Sequence, residues 1–142
     1  SAGELRRVCC DAEIIPVVLR GDSEVLDVGR RKRLVTPAIR TALIARDGGC
    51  VFPTCVAPPS ACEAHHVVPW QRGGRTRLDD LILVCHHHHA VVEPDRYRLR
   101  DQWQVRISSV DKLPEFAPPA RHPQAGEWLR HARHRHAERT AA

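Results

Sequence analysis

Six cysteines and ten histidines in 142 residues are the most reactive part of this chain, and several of them fall in ligand-like spacings. Cys50 and Cys55 bracket Val-Phe-Pro-Thr, and Cys85 and His88 bracket two residues, which makes two pairs of soft or borderline ligands. Two such pairs complete a closed tetrahedral zinc site. On a helix Cys85 and His88 stand at i and i+3, so both reach the same ion. The segment from Cys50 to Ser60 is rich in proline and has no periodicity, and metal ligation is the constraint that would order it. The competing reading is a set of unrelated buried thiols with a surface histidine, and Cys62 is a substitute ligand. No secretory signal accompanies these cysteines, so a reduced, cytoplasmic, metal-using protein is expected rather than a disulfide framework. Cys9 and Cys10 read as packed near the core.

A second constellation lies beside the first. His89 follows His88 and is rotated by roughly 100° on a helix, away from the expected zinc. Glu93 stands at i+4 from His89, so the two share a face on which a second ion with open positions can sit. His65 and His66 precede Val67-Val68-Pro69 on an expected strand, where neighbouring side chains project to opposite sides. One histidine can then ligate while the other moves a proton, the division that hydrolysis at a metal centre requires. His86 and His87 read as solvent-exposed, and Trp70 as an anchor for the loop that follows.

The elements that must position these groups are legible in outline. A helix is expected over residues 4–12, then a strand at 14–19 that turns through Gly21-Asp22-Ser23 into Val25–Val28. Thr36 is a suitable N-cap with Pro37 at the first helical position, and Gly48-Gly49 stops that helix near Asp47. Ile39, Leu43 and Ile44 form its core-facing stripe. A strand at 63–68, a polar loop at 71–80, a strand at 81–84 and a helix from Cys85 to about Glu93 follow, with Pro94 as the stop. Two strands, 97–100 and 103–107, are expected to pair as a hairpin. Residues 127–139 read as a short basic helix or a solvated tail containing His131, His134 and His136, with His122 also solvated.

At this point the chain resembles the HNH endonucleases and their ββα-metal fold. The resemblance is carried by Cys50 to Cys55, Glu63-Ala64-His65-His66-Val67-Val68-Pro69-Trp70, Gly73-Gly74-Arg75-Thr76, Leu78-Asp79-Asp80-Leu81 and Cys85-x-x-His88-His89. The nearest branch is the bacterial one that carries the HNH module at the C-terminal end of a longer protein. The absence of methionine agrees with upstream domains. Cys10-Asp11-Ala12 and Leu26-Asp27-Val28-Gly29-Arg30 extend the likeness to most of the chain. The resemblance implies that His65 ligates a catalytic divalent ion, that His66 is the general base and that His89 is the final metal-binding histidine of the motif. Glu93 stands where many members have histidine, which favours Mg²⁺ or Mn²⁺, with Ni²⁺ or Zn²⁺ also able to bind. Asp80 replaces the middle Asn that braces the loop behind the base; it accepts hydrogen bonds but cannot donate them.

The expected class is therefore α+β: a ββα-metal core with a zinc knuckle at 46–93, a helix/hairpin/helix extension at 1–45, a hairpin and Pro-rich segment at 94–120, and a basic tail at 121–142. A hydrophobic fraction of 42% and a charged fraction of 27% suit a globular chain, and no apolar run is long enough to span a bilayer. The net charge of +5, almost all of it from arginine, permits a phosphate-bearing partner. Arg72, Arg75 and Arg77, in the loop beside the base, are expected to hold DNA phosphates without reading sequence. The run Arg30-Arg31-Lys32-Arg33 reads equally as a solvated patch or a phosphate contact. Cleavage of DNA to 5′-phosphate and 3′-hydroxyl ends is the leading expectation; its rivals are a zinc-containing nucleic-acid-binding module with weakened catalysis, and a metal buffer or sensor.

Overall fold

Thr36 and Pro37 start the first helix for the reasons their side chains supply. Thr36 is extended (φ −73°, ψ 158°), its Oγ1 accepts from the Ile39 N–H at 3.3 Å, and Pro37 has no amide proton to leave unpaired. The computed structural model describes residues 26–95, 97 and 101–135, and within them this helix, α1, spans Pro37–Asp47. Gly48 ends it in the left-handed region at φ 66°, donating to the Ile44 carbonyl at 2.9 Å. Ile39 and Leu43 are fully buried, each contributing ~1.5–3 kcal/mol of apolar burial. They face the core of the ββα unit.

That unit consists of β2 (Cys62–His66), β4 (Leu81–Cys85) and α2 (His86–Val92). β2 and β4 are antiparallel in a register that sets Cys62 opposite Cys85 and His66 opposite Leu81. Leu81 to Val84 are all fully buried, as a strand covered on both faces requires. Asp47 fastens α1 to this strand. Its buried carboxylate accepts from the Leu83 N–H at 2.9 Å and pairs with Arg46 at 2.7 Å, while Arg46 donates to the carbonyls of Leu78 and Leu81. A buried carboxylate so satisfied is a structural clamp.

Two short pairings frame the unit. β1 (Asp27–Gly29) runs antiparallel to β3 (Thr76–Arg77), so the segment before α1 is laid along the loop between β2 and β4. The expected helix at 4–12 and strand at 14–19, with Cys9 and Cys10, lie outside the described residues. β5 (Gln104–Ile107) pairs with β6 (Pro114–Ala117), a partner the sequence reading did not name for the 103–107 strand. Pro114 sits at the first position of β6, where the ladder tolerates a missing N–H, and Phe116 supplies a fully buried ring. Most of 97–100 lies outside the described residues.

The basic tail also differs from expectation. Phe116 and Leu129 exchange backbone hydrogen bonds at 2.8 Å, and the segment 130–135 is laid back against the core. His131 and His134 are each only 6% exposed. His131 bonds the Cys55 carbonyl at 2.8 Å, His134 the Arg46 carbonyl at 3.1 Å, and Arg133 donates to the carbonyls of Asp47 and Cys50 at 3.1 and 2.8 Å. The charge pattern alone reads as a solvated face; the unpaired carbonyls at the end of α1 and in the knuckle are what recruit the segment. His136 lies outside the described residues. Among the described residues, no helix is long and apolar enough to cross a membrane.

Candidate metal centres and active site

Cys50 leaves α1 through Gly48-Gly49 and is fixed by two backbone bonds, Cys50 N–H to the Ala57 carbonyl and Val51 N–H to the Leu83 carbonyl, both 3.0 Å. The Cys55 N–H closes the turn on the Phe52 carbonyl at 3.0 Å. The knuckle thereby points two thiols at the end of β4, where Cys85 and His88 stand one helical turn apart. The ligand atoms of Cys50, Cys55, Cys85 and His88 all lie within 4.8 Å of one another. Cys55 Sγ to Cys85 Sγ is 3.9 Å, Cys50 Sγ to His88 Nδ1 3.6 Å, and Cys85 Sγ to His88 Nδ1 3.2 Å. A tetrahedron of thiolates around zinc has edges of ~3.8 Å, so the four groups form a cluster able to hold that ion. The ring of His88 stacks on Phe52 with centroids 3.9 Å apart, which fixes its orientation. Burial pushes the Cys50 thiol up to about 12, so metal loading there must displace a proton. Cys62 is not in the cluster; its Sγ turns to the Pro58 carbonyl at 3.2 Å.

On the other side of α2 a cavity of about 220 Å³ is lined by His65, His66, His89 and Glu93, together with Arg33 and Trp70. β2 brings in the first two histidines and α2 the other pair. His65 is 6% exposed, its Nε2 has no hydrogen-bond partner, and its ring lies 4.9 Å from that of His89. Burial, reinforced by His89 and His66, pushes His65 down to about 4, so the imidazole is neutral and its lone pair is available to a cation. His89 Nδ1 meets Glu93 Oε2 at 3.2 Å, the i, i+4 pair that the spacing predicts. His66 is half-buried and bonds Thr76 Oγ1 through Nε2 at 3.0 Å. Its pKa is lowered, first by burial and then by Arg33, with Asp80 pulling the other way. The shift favours the neutral ring, the state a proton acceptor needs.

The loop arginines divide. Arg72 and Arg75 are exposed, whereas Arg77 is held by Asp80 through two bonds of 2.6 and 3.0 Å. Arg77 is thus engaged within the loop, with its side chain 38% exposed. The pairing arises because Leu78–Asp80 forms a 3₁₀ turn that brings i and i+3 together. Asp80 also accepts the Val67 N–H on its backbone carbonyl at 2.9 Å, tying the strand end beside His66 to the returning chain. Gly74 permits this loop to close: a Cβ there would lie 1.9 Å from the Val68 carbonyl oxygen. Arg30 braces the loop from the other side. It donates to the carbonyls of Trp70 and Gly74 and its guanidinium lies 3.9 Å over the Trp70 ring. Neither Arg30 nor Thr76 was separable from its neighbours by residue type; only their partners across the loop mark them.

The uncharacterized protein Rv1945 of Mycobacterium tuberculosis is 39% identical over 89 residues, covering 63% of this chain and 18% of that protein. Mb1179c of Mycobacterium bovis, also uncharacterized, is 38% identical over 88 residues, 62% of this chain and 18% of its own length. Rv1128c of Mycobacterium tuberculosis is 45% identical over 62 residues, or 44% of this chain and 14% of that protein. The chain thus spans less than a fifth of the length of these curated relatives. No solved structure gives a significant match. The family model that matches is that of the HNH endonucleases, over residues 50–90, the stretch that holds the Cys/His cluster, both strands of the hairpin and the histidines of α2.

Proposed function

We propose that the protein is a metal-dependent endonuclease that hydrolyses phosphodiester bonds in DNA. The observation that carries this reading is the buried, unpartnered Nε2 of His65 on the wall of a cavity shared with His66, His89 and Glu93. A buried polar atom without a partner is costly, and a cation is a partner that a neutral imidazole on a cavity wall shared with a second histidine and a carboxylate suits. His65, His89 and Glu93 would hold a divalent ion, Mg²⁺ or Mn²⁺ by the hardness of the carboxylate, with Ni²⁺ or Zn²⁺ as alternatives; when bound it supplies charge stabilisation to the phosphoryl and departing oxygens. Cys50, Cys55, Cys85 and His88 would hold a structural zinc.

The chain's own groups do the rest. Neutral His66 takes a proton from water as the water oxygen bonds to phosphorus, and the P–O3′ bond breaks in line. The products are a 5′-phosphate and a 3′-hydroxyl, the departing oxygen taking its proton from solvent. Arg72 and Arg75 supply exposed positive charge for the backbone on either side of the scissile phosphate, which gives affinity without base reading. A second reading, a zinc-containing nucleic-acid-binding module with weakened catalysis, is favoured by one observation: Asp80, at the family's Asn position, is engaged by Arg77.

Incubation of the protein with supercoiled plasmid across Mg²⁺, Mn²⁺, Ni²⁺ and Zn²⁺, with EDTA as control, separates the two. Nicked or linear products with 5′-phosphate ends are expected. His66→Ala should lower the rate ~10²-fold or more while leaving plasmid affinity near the parent's. Parental cleavage by that variant overturns the base assignment. Salt-sensitive binding without turnover in any metal establishes the second reading.

A further inference from the structure

Thr76 is fully buried at the start of β3, between the segment that precedes α1 and the histidine pair of β2. Its hydroxyl donates to the Arg33 carbonyl at 3.1 Å and stands 3.0 Å from His66 Nε2. A hydroxyl carries one proton, and a carbonyl can only accept. With that proton given to Arg33, the contact with His66 must run from Nε2–H to Thr76 Oγ1. A neutral imidazole has a single N–H, so the lone pair is left on Nδ1.

We propose that Thr76 is a positioning residue for the hydrolytic reaction: its hydroxyl, oriented by the Arg33 carbonyl, fixes the tautomer and ring orientation of His66 so that Nδ1 is the nitrogen that accepts the proton of water. The inference rests on the reading of His66 as the base. It gives the basic run a role other than phosphate contact, because its backbone is the fixed end of the relay. Two features hold that end in place. Gly29 is paired with Thr76 across β1 and β3, and Arg30 is bonded to the carbonyls of Trp70 and Gly74 on the far side of the loop. The carbonyl, the hydroxyl and the imidazole therefore belong to one braced unit. Loss of the hydroxyl alone frees Nε2 and opens the other tautomer, in which Nδ1 carries the proton and cannot act as base.

The test uses the full chain with two variants, Thr76→Val, which keeps the shape without the hydroxyl, and Thr76→Ser, which keeps the hydroxyl. Long-range ¹H–¹⁵N correlation spectra at a pH where His66 is neutral report which nitrogen is protonated, and plasmid cleavage gives kcat and KM. The parent should show Nε2–H at His66. Thr76→Val should show a mixture of tautomers and a kcat lower by about 10²-fold with KM within about threefold, and Thr76→Ser should restore both tautomer and kcat to within about threefold. Nδ1–H in the parent overturns the proposal without any variant, as does a folded Thr76→Val that keeps Nε2–H or the parental kcat. Failure of the underlying reading looks different: His66→Ala then cleaves at the parental rate, whatever the spectra of the Thr76 variants show.

Discussion

Glu93 shows at the scale of one side chain what spacing can and cannot fix. The i, i+4 relation put it beside His89, and the two do meet at 3.2 Å. The carboxylate is 61% exposed, so its Coulombic pull on histidine is screened and its leverage on a cation comes from direct coordination or from orienting the His89 ring. Glu93→Gln, which keeps an oxygen and removes the charge, is expected to raise the Mg²⁺ concentration for half-maximal cleavage by about 10-fold. Glu93→His should shift the activity profile toward Ni²⁺ or Zn²⁺, since imidazole is the softer donor. Metal titrations of plasmid cleavage measure both, and profiles identical to the parent in every metal would leave Glu93 as no more than a helix-end partner of His89. Thr76 is the opposite case. Its place in the Gly73-Gly74-Arg75-Thr76 motif marks the loop but not a role for its hydroxyl, which depends on a carbonyl forty-three positions away.

At the scale of elements, the knuckle is the segment whose order local propensity does not explain. From Cys50 to Ala61 it has no regular structure beyond one 3₁₀ turn, yet Cys50, Val51 and Phe52 are buried. Its four convergent ligands predict about one zinc per chain by elemental analysis of protein purified without chelators. Structural zinc in small modules contributes on the order of 10 kcal/mol of apparent binding free energy. Cys50→Ser should therefore melt well below the parent, and EDTA should lower the parent's melting temperature toward the variant's. A parent without zinc, or equal melting of parent and variant, removes the structural ion. α1 and the ββα unit followed from caps, breakers and an apolar run, all local signals. β6 did not, because proline content outweighed the buried Phe116 in a reading that had no access to its partner strand.

At the scale of the molecule, the C-terminal segment clamps both the end of α1 and the knuckle. Arg133→Ala leaves the buried carbonyls of Asp47 and Cys50 without that donor and is expected to cost ~1–3 kcal/mol in thermal or denaturant unfolding. The same clamp makes stability depend on acid. Burial holds His134 below its usual value of 6.5, with the Arg46 carbonyl and Asp47 opposing that shift and the Arg46 and His131 charges adding to it. The folded state keeps the ring neutral where the unfolded chain takes up a proton, so stability falls as the pH drops below about 6.5 toward the folded pKa. His134→Gln, which retains an N–H for the Arg46 carbonyl but does not titrate, should show a shallower loss of melting temperature between about pH 6.5 and 5. An unchanged slope would mean that other groups govern the acid limb.

By itself the sequence determined the types and spacings of the ligands, the start and stop of α1, and the strand, loop, strand, helix order that carries His65, His66, His89 and Glu93. These rest on interactions between residues close along the chain: a cap three positions from its amide, a glycine one turn past a carbonyl, a pair on one helical face. Only the tertiary structure decided that Arg77 pairs with Asp80, that Arg30 braces the loop and the Arg33 carbonyl holds Thr76 behind the base, and that His131 and His134 are buried while Arg133 bonds core carbonyls. Each of those outcomes is set by a buried carbonyl, hydroxyl or carboxylate that folding takes out of water and that must then find a partner wherever the chain offers one.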